Sequence, residues 1–171
     1  MNSKKLLLII CSVFFVVGLS KAQDHDYIGA PKCKMCHNKA AKGSQYDKWA
    51  AGPHAKAFET LASAEAKKYS ADPQKDAKCL ACHSTYHSAS ADLMYTIKAE
   101  EGVSCESCHG PGADYKSPAV MKDKQKSLAA GLIDPTEAVC KTCHNEKSPT
   151  YKGFNYAEYV AKISHDDPTT E

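Results

Sequence analysis

Residues 101–115 read EGVSCESCHGPGADY, and the five at their centre, Cys105-Glu-Ser-Cys108-His109, set the terms for the whole chain. The same C-x-x-C-H spacing recurs at Cys33-Lys-Met-Cys36-His37, Cys79-Leu-Ala-Cys82-His83 and Cys140-Lys-Thr-Cys143-His144. Eight of the nine cysteines fall into these four pairs, and the ninth, Cys11, lies in an apolar stretch near the start.

The repeated pattern reads as c-type haem attachment. Two thiols three residues apart reach the two vinyl groups of one porphyrin, and the adjacent His falls under the iron. Zinc also takes C-x-x-C pairs, but it does not require a His after every second Cys. Disulfides would account for even numbers of cysteines in an exported chain, yet they too leave the histidines unexplained. The expectation is four covalently bound haem c groups. Cys33, Cys36, Cys79, Cys82, Cys105, Cys108, Cys140 and Cys143 form the thioethers, and His37, His83, His109 and His144 are the proximal iron ligands.

The composition asks for such a cofactor. From Asp24 onward, Leu, Ile, Val and Phe together number 15 of 148 residues. A fraction that low signals disorder when the net charge is high. Here the charge is small. All 22 basic residues are Lys, three of them precede residue 22, and the remaining 19 face 20 acids, a net charge of −1. Such a chain is too apolar-poor to fold unaided and too balanced to be a solvated coil. Burying flat apolar macrocycles would supply the missing core. The fold class expected is therefore mainly α with long loops, a small multihaem cytochrome c fold organised around four stacked haems. Nothing in the charge pattern points to a nucleic-acid partner.

Residues 1–22 carry Lys4 and Lys5, then an apolar run from Leu6 to Val17, then Ser20-Lys21-Ala22. That is the layout of a cleaved secretory signal peptide. The apolar run is short of the ~20 residues a spanning helix needs, so no membrane anchor is expected after cleavage. The expected organisation is a signal peptide at 1–22 and one tetrahaem domain at 23–171, periplasmic or otherwise exported.

Four histidines lie outside the motifs, matching in number the four sixth positions on iron: His25, His54, His87 and His165. His54 opens GPHAKAFETL (52–61), where Phe58 and Leu61 follow at helical spacing, so an amphipathic helix would place the imidazole on its apolar face. His165 closes a stretch in which Tyr156, Tyr159, Val160 and Ile163 recur at helical spacing. His87, four residues after His83, would have to serve a neighbouring haem. His25, beside the new N-terminus, would need coordination to tie it down. Met94 and Met121 are the alternative axial ligands.

Helices are expected at about 39–50, 54–69, 119–130 and 155–164, with a short strand an open choice at Leu93–Ile97. Asp134-Pro135-Thr136-Glu137 has the form of a capping box leading into the fourth motif. Gly110-Pro111-Gly112 should turn the chain away after the third.

Tyr27-Ile-Gly29, Trp49 with GPHAKAFETL, and EGVSCESCHGPGADY, taken with the order of the motifs, resemble the cytochrome c-554 family of tetrahaem cytochromes. The resemblance spans nearly the whole mature chain. It implies a small, mostly helical, exported electron carrier with closely packed haem pairs, mostly bis-His ligated, in which one haem lacks a sixth protein ligand. It implies that His54 is a distal ligand and His165 another. The family's pattern also has a ligand His some residues after Gly-Pro-Gly, and residues 113–132 hold none. Its role would pass to His25 or His87, or that iron would stay open.

The function expected is electron transfer between redox partner proteins rather than enzymatic turnover. The rival reading is a haem enzyme acting on a small nitrogen compound at one five-coordinate iron. An oligomer in which a loose His crosses between subunits is a third.

Overall fold

The computed structural model describes residues 25–88, 92 and 96–169. Residues 1–22, where a signal peptide is expected, Met94 and most of the Leu93–Ile97 stretch lie outside them. Helices and loops make up the described chain, with a lone bridge residue at Tyr27 and no strand.

Among the described residues ten short α-helices run in order: α1 Ala30–His37, α2 Gln45–Ala51, α3 Ala57–Thr60, α4 Ala77–His83, α5 Thr85–Ser88, α6 Cys105–His109, α7 Pro118–Met121, α8 Lys124–Ala129, α9 Glu137–Lys141 and α10 Tyr156–Ile163. Each of the first three motifs occupies a helix, α1, α4 and α6, with its His as the last helical residue. In the fourth motif α9 stops at Lys141, and Cys143 and His144 follow in a turn.

Helix α10 forms where expected, with the Asn155 side chain accepting from the Glu158 amide. The other expected helices are cut, each for a local reason. The 39–50 stretch divides into a 3-10 turn at Ala40–Lys42 and α2, because Gly43 and Ser44 both take positive φ, 93° and 48°. The 119–130 stretch divides at Asp123, which leaves helical geometry to cap α8 through the Lys126 amide.

The largest departure is at 54–69. His54 lies in a turn, and only Ala57–Thr60 and a 3-10 turn at Ala66–Lys68 are helical. The His54 carbonyl, which would serve residue 58 in a helix, accepts instead from Ala57 and from Val103, 3.1 and 3.0 Å away. The expected capping box is also absent. Thr136 is the N-cap residue of α9 and makes no side-chain cap, while Asp134 pairs with Lys124 at 2.7 Å.

The packed centre is small. Among the described residues, Ile28, Ala30, Leu61, Leu80, Ile97 and Tyr115 are the buried apolar side chains. Six such residues cannot offset the entropy of ordering a chain this long. Polar groups do the joining instead, and they converge on residues 101–106. Trp49 donates its indole N–H to the Val103 carbonyl at 2.9 Å. The Thr85 amide donates to Gly102, and the Ser104 amide to the Thr85 hydroxyl. Gly102 has φ 63°, and a Cβ there would lie 2.7 Å from the His54 carbonyl oxygen.

Gly110 turns the chain as expected. Its φ is 76°, and a Cβ would meet the Gly131 carbonyl at 2.4 Å, so the third motif ends in close backbone contact with residues 131–133.

Candidate haem centres

The eight motif cysteines are free thiols rather than disulfides. They are also brought together across motifs. Cys33 of the first motif and Cys105 of the third lie close enough to act on each other, which together with burial pushes the Cys33 thiol up. Cys82 of the second and Cys143 of the fourth form a like pair, and burial, with Cys143 beside it, pushes Cys82 up to about 11. Cys108, half-buried and pushed up by desolvation to about 11, feels both Cys140 and Cys143. The thiols therefore meet in the order first, third, fourth, second motif.

Two pairs of histidines face each other. His54 and His144 have ring centroids 6.0 Å apart with planes at 68°. His109 and His165 are also 6.0 Å apart, at 78°. Two imidazoles binding one ion from opposite sides, each through a nitrogen about 2 Å away, have centroids about 6 Å apart. Each pair joins a motif His to one of the loose histidines. Burial holds His54, His109 and His144 below the usual imidazole value, so the neutral, ligating form is favoured.

Backbone carbonyls fix two more rings. His83 Nδ1 lies 2.8 Å from the Ala57 carbonyl and His165 Nδ1 lies 2.8 Å from that of Ile163. A carbonyl only accepts, so each Nδ1 donates and each Nε2 is left bare, the tautomer that metal-bound histidines adopt.

His144 is flanked by cavities of about 490 Å³, between Lys141, Lys147 and Tyr151, and about 230 Å³, between Cys143, Thr150 and Tyr159. Phe154 stacks on its ring at 4.8 Å and 18°. The face of α10 is likewise uncovered by protein: Tyr159 is exposed, and Tyr156, Val160 and Ile163 are only half-buried.

These residues fit haem. Paired imidazoles, bare Nε2 atoms, free thiol pairs and an apolar face without protein cover are what a covalently held macrocycle requires. Zinc would gather three or four protein ligands, and no group of three or more His, Cys, Asp or Glu is so placed among the described residues.

Two motifs stay unpaired. Among the described residues no second imidazole faces His37 or His83 in this manner. His87, at the end of α5, is exposed and sits edge-on to Tyr86 at 5.0 Å. His25 is held by Asp114, Nδ1 to carboxylate 2.6 Å, with its ring filling the space a Cβ on Gly131 would take. Met121 ends α7, half-buried.

Several site residues escape a reading of the sequence. Glu106, inside the third C-x-x-C, is 2% exposed. Its carboxylate accepts from the amides of Ile28 (2.9 Å), Gly29 (2.7 Å) and Gly112 (2.7 Å). Glu101 accepts from the Ala30 amide at 2.7 Å. Tyr115 donates to the Gly110 carbonyl at 2.6 Å, and burial then Glu106 hold its phenol well above the usual value. The only signal was a charged residue where a motif tolerates small ones, beside glycines at 29 and 112.

Comparison with known proteins points to a c-type cytochrome. The family model described as "Cytochrome c554 and c-prime" matches residues 32–110. The chain is 33% identical over 160 residues to cytochrome c-554 of Nitrosomonas europaea, a match covering 80% of this chain. It spans 65% of that relative's length. No solved structure matches.

Proposed function

The chain belongs to the cytochrome c-554 family, and on that premise we propose that it is an exported tetrahaem c-type cytochrome that carries electrons between redox partner proteins. The observation that carries the reading is the pair of facing imidazoles, His54 with His144 and His109 with His165, each at the separation of two ligands on one metal.

Haem bound at these motifs would supply one-electron exchange at iron. The chain's part is to hold and separate the centres. His54 with His144 would hold the fourth-motif iron, and His165 with His109 the third-motif iron. Thiol contacts support a relay running first, third, fourth, second motif. His25 is proposed for the first motif's iron. Its Nδ1 is engaged by Asp114, and its neighbour Asp26 accepts from the Ala113 amide. That places an imidazole beside the 113–132 stretch, which has no histidine of its own.

The export step rests on the leader at 1–22. No helix among the described residues is long and apolar enough to cross a membrane.

The test is haem content and spin state. Intact mass should show four haems per chain, and the oxidised protein should be mainly low-spin. One observation favours the rival enzymatic reading: His83 has its Nδ1 engaged and faces no second imidazole. If the second iron is open, cyanide or nitric oxide will bind one haem per chain. Fewer than four haems would overturn the tetrahaem reading.

A further inference from the structure

The two thiol junctions differ in charge. At the junction of the first and third motifs, Glu106 is buried between Cys105 and Cys108 and meets only hydrogen-bond donors of the backbone. The chain it clamps, Ile28-Gly29, leads directly into Cys33, whose thiol lies 3.8 Å from the Gly29 carbonyl. Glu101 is half-buried beside it, and a Cβ on Gly29 would come within 2.9 Å of its carboxylate. None of the ion pairs among the described residues neutralises either carboxylate. Both act on Cys33 and Cys105 through their charge.

At the junction of the second and fourth motifs the charged neighbour is Lys147, which acts on Cys82 in the opposite sense. The carboxylates near the outer thiols of those motifs, Asp76 beside Cys79 and Glu137 beside Cys140, are half-buried, the Glu137 side chain 46% exposed. Asp76 accepts from the Lys78 amide and Glu137 pairs with Lys141 at 2.7 Å. Water and counterions screen both, while Glu106 has neither.

Reducing a ferric iron removes one unit of positive charge. A buried carboxylate nearby stabilises the ferric state over the ferrous one and lowers the potential, and a lysine does the reverse. We propose that Glu106, supported by Glu101, makes the first- and third-motif haems the low-potential end of the relay. Electrons then run from that pair toward the fourth and second motifs, each hop oxidising one ferrous iron and reducing one ferric. This rests on the tetrahaem reading, and adds to it a direction and the residue that sets it.

The experiment is a redox titration of the whole haem-loaded protein followed by electron paramagnetic resonance. The signal lost in His165→Ala identifies the third-motif haem, and that lost in His54→Ala the fourth. In the native protein the third should have the lower midpoint. Glu106→Gln should raise it and leave the fourth unchanged. Glu106→Asp, which keeps the charge while disturbing the same cradle, should stay near the native value, an outcome that a purely structural role would not give. If Glu106→Gln fails to mature, Glu101→Gln should raise the third midpoint by less, and Lys147→Gln should lower that of the fourth. A third-motif midpoint above the fourth, or equal shifts in both, overturns the proposal. A native protein without low-spin signals overturns the tetrahaem reading instead.

Discussion

His109 and His165 face each other across 6.0 Å with their planes crossed at 78°, although one closes the third haem motif and the other follows the last helix. His165 is positioned by α10 and locked by its Nδ1 bond to the Ile163 carbonyl. Replacing His165 by Ala should convert one haem in four to high spin while intact mass stays unchanged, because the thioethers at Cys105 and Cys108 remain. An unaltered spectrum would show that the pair does not share an iron.

His54→Ala should do the same to a different haem, and the double variant should leave two converted. His87→Ala is the control, and its spectrum should match the native one, since that ring is exposed and, among the described residues, its ring partner is Tyr86.

His25 is the sharper case. If it ligates the first-motif iron, His25→Ala produces a high-spin haem and Asp114→Asn weakens the ligand without removing it. The second effect follows from the carboxylate's role in fixing the ring, and comparable partners are worth 10–100-fold, roughly, in metal affinity. Unchanged spectra in both variants would leave the first iron without this ligand.

Gly102→Ala should destabilise the protein. The glycine has φ 63°, and a Cβ would sit 2.7 and 2.9 Å from the carbonyl oxygens of His54 and Ala55. Strain of this type costs about 1–3 kcal/mol before the clash is counted. Denaturant unfolding of the haem-loaded protein reads it, and because the substitution pushes on His54, the fourth-motif haem should also be perturbed.

Acid should weaken the fold in a stated window. His37, His54, His109 and His144 are all held below the ordinary imidazole value, chiefly by burial. The unfolded chain takes up protons at these positions near pH ~6.5, where the folded chain does not. Stability is therefore complete above that pH and falls as the pH drops below it. A denaturation midpoint equal at pH 8 and pH 5 would contradict this.

What the sequence made legible is what is covalent or strictly periodic. The four motifs needed only spacing, and α10 showed itself through Tyr156, Tyr159, Val160 and Ile163. His54 was singled out as a candidate ligand for a reason the structure revises: it sits in a turn whose carbonyl Val103 captures, not on a helical face. Apolar periodicity misleads here because the Val103 amide takes the His54 carbonyl that a helix would give to Phe58. Glu106 was illegible because nothing local distinguishes a solvated glutamate from one whose amide partners come from residues 28, 29 and 112. Only the fold brings those donors to it.

The C-terminal tail has a consequence for biogenesis. Asp167 pairs with Lys42 at 3.2 Å, and the Asp166 carbonyl closes against Gly43, so the segment bearing His165 docks beside the first motif. If the chain is exported as proposed, synthesis and secretion deliver it from its start. The thiols at Cys105 and Cys108 are presented well before His165 emerges, so attachment can precede the final ligand. The third haem would then wait, tethered but incompletely ligated, until the last residues arrive. A chain cut short after Ile163 would carry its full complement of thioethers and still be recognisable, by the colour of one immature iron, as unfinished.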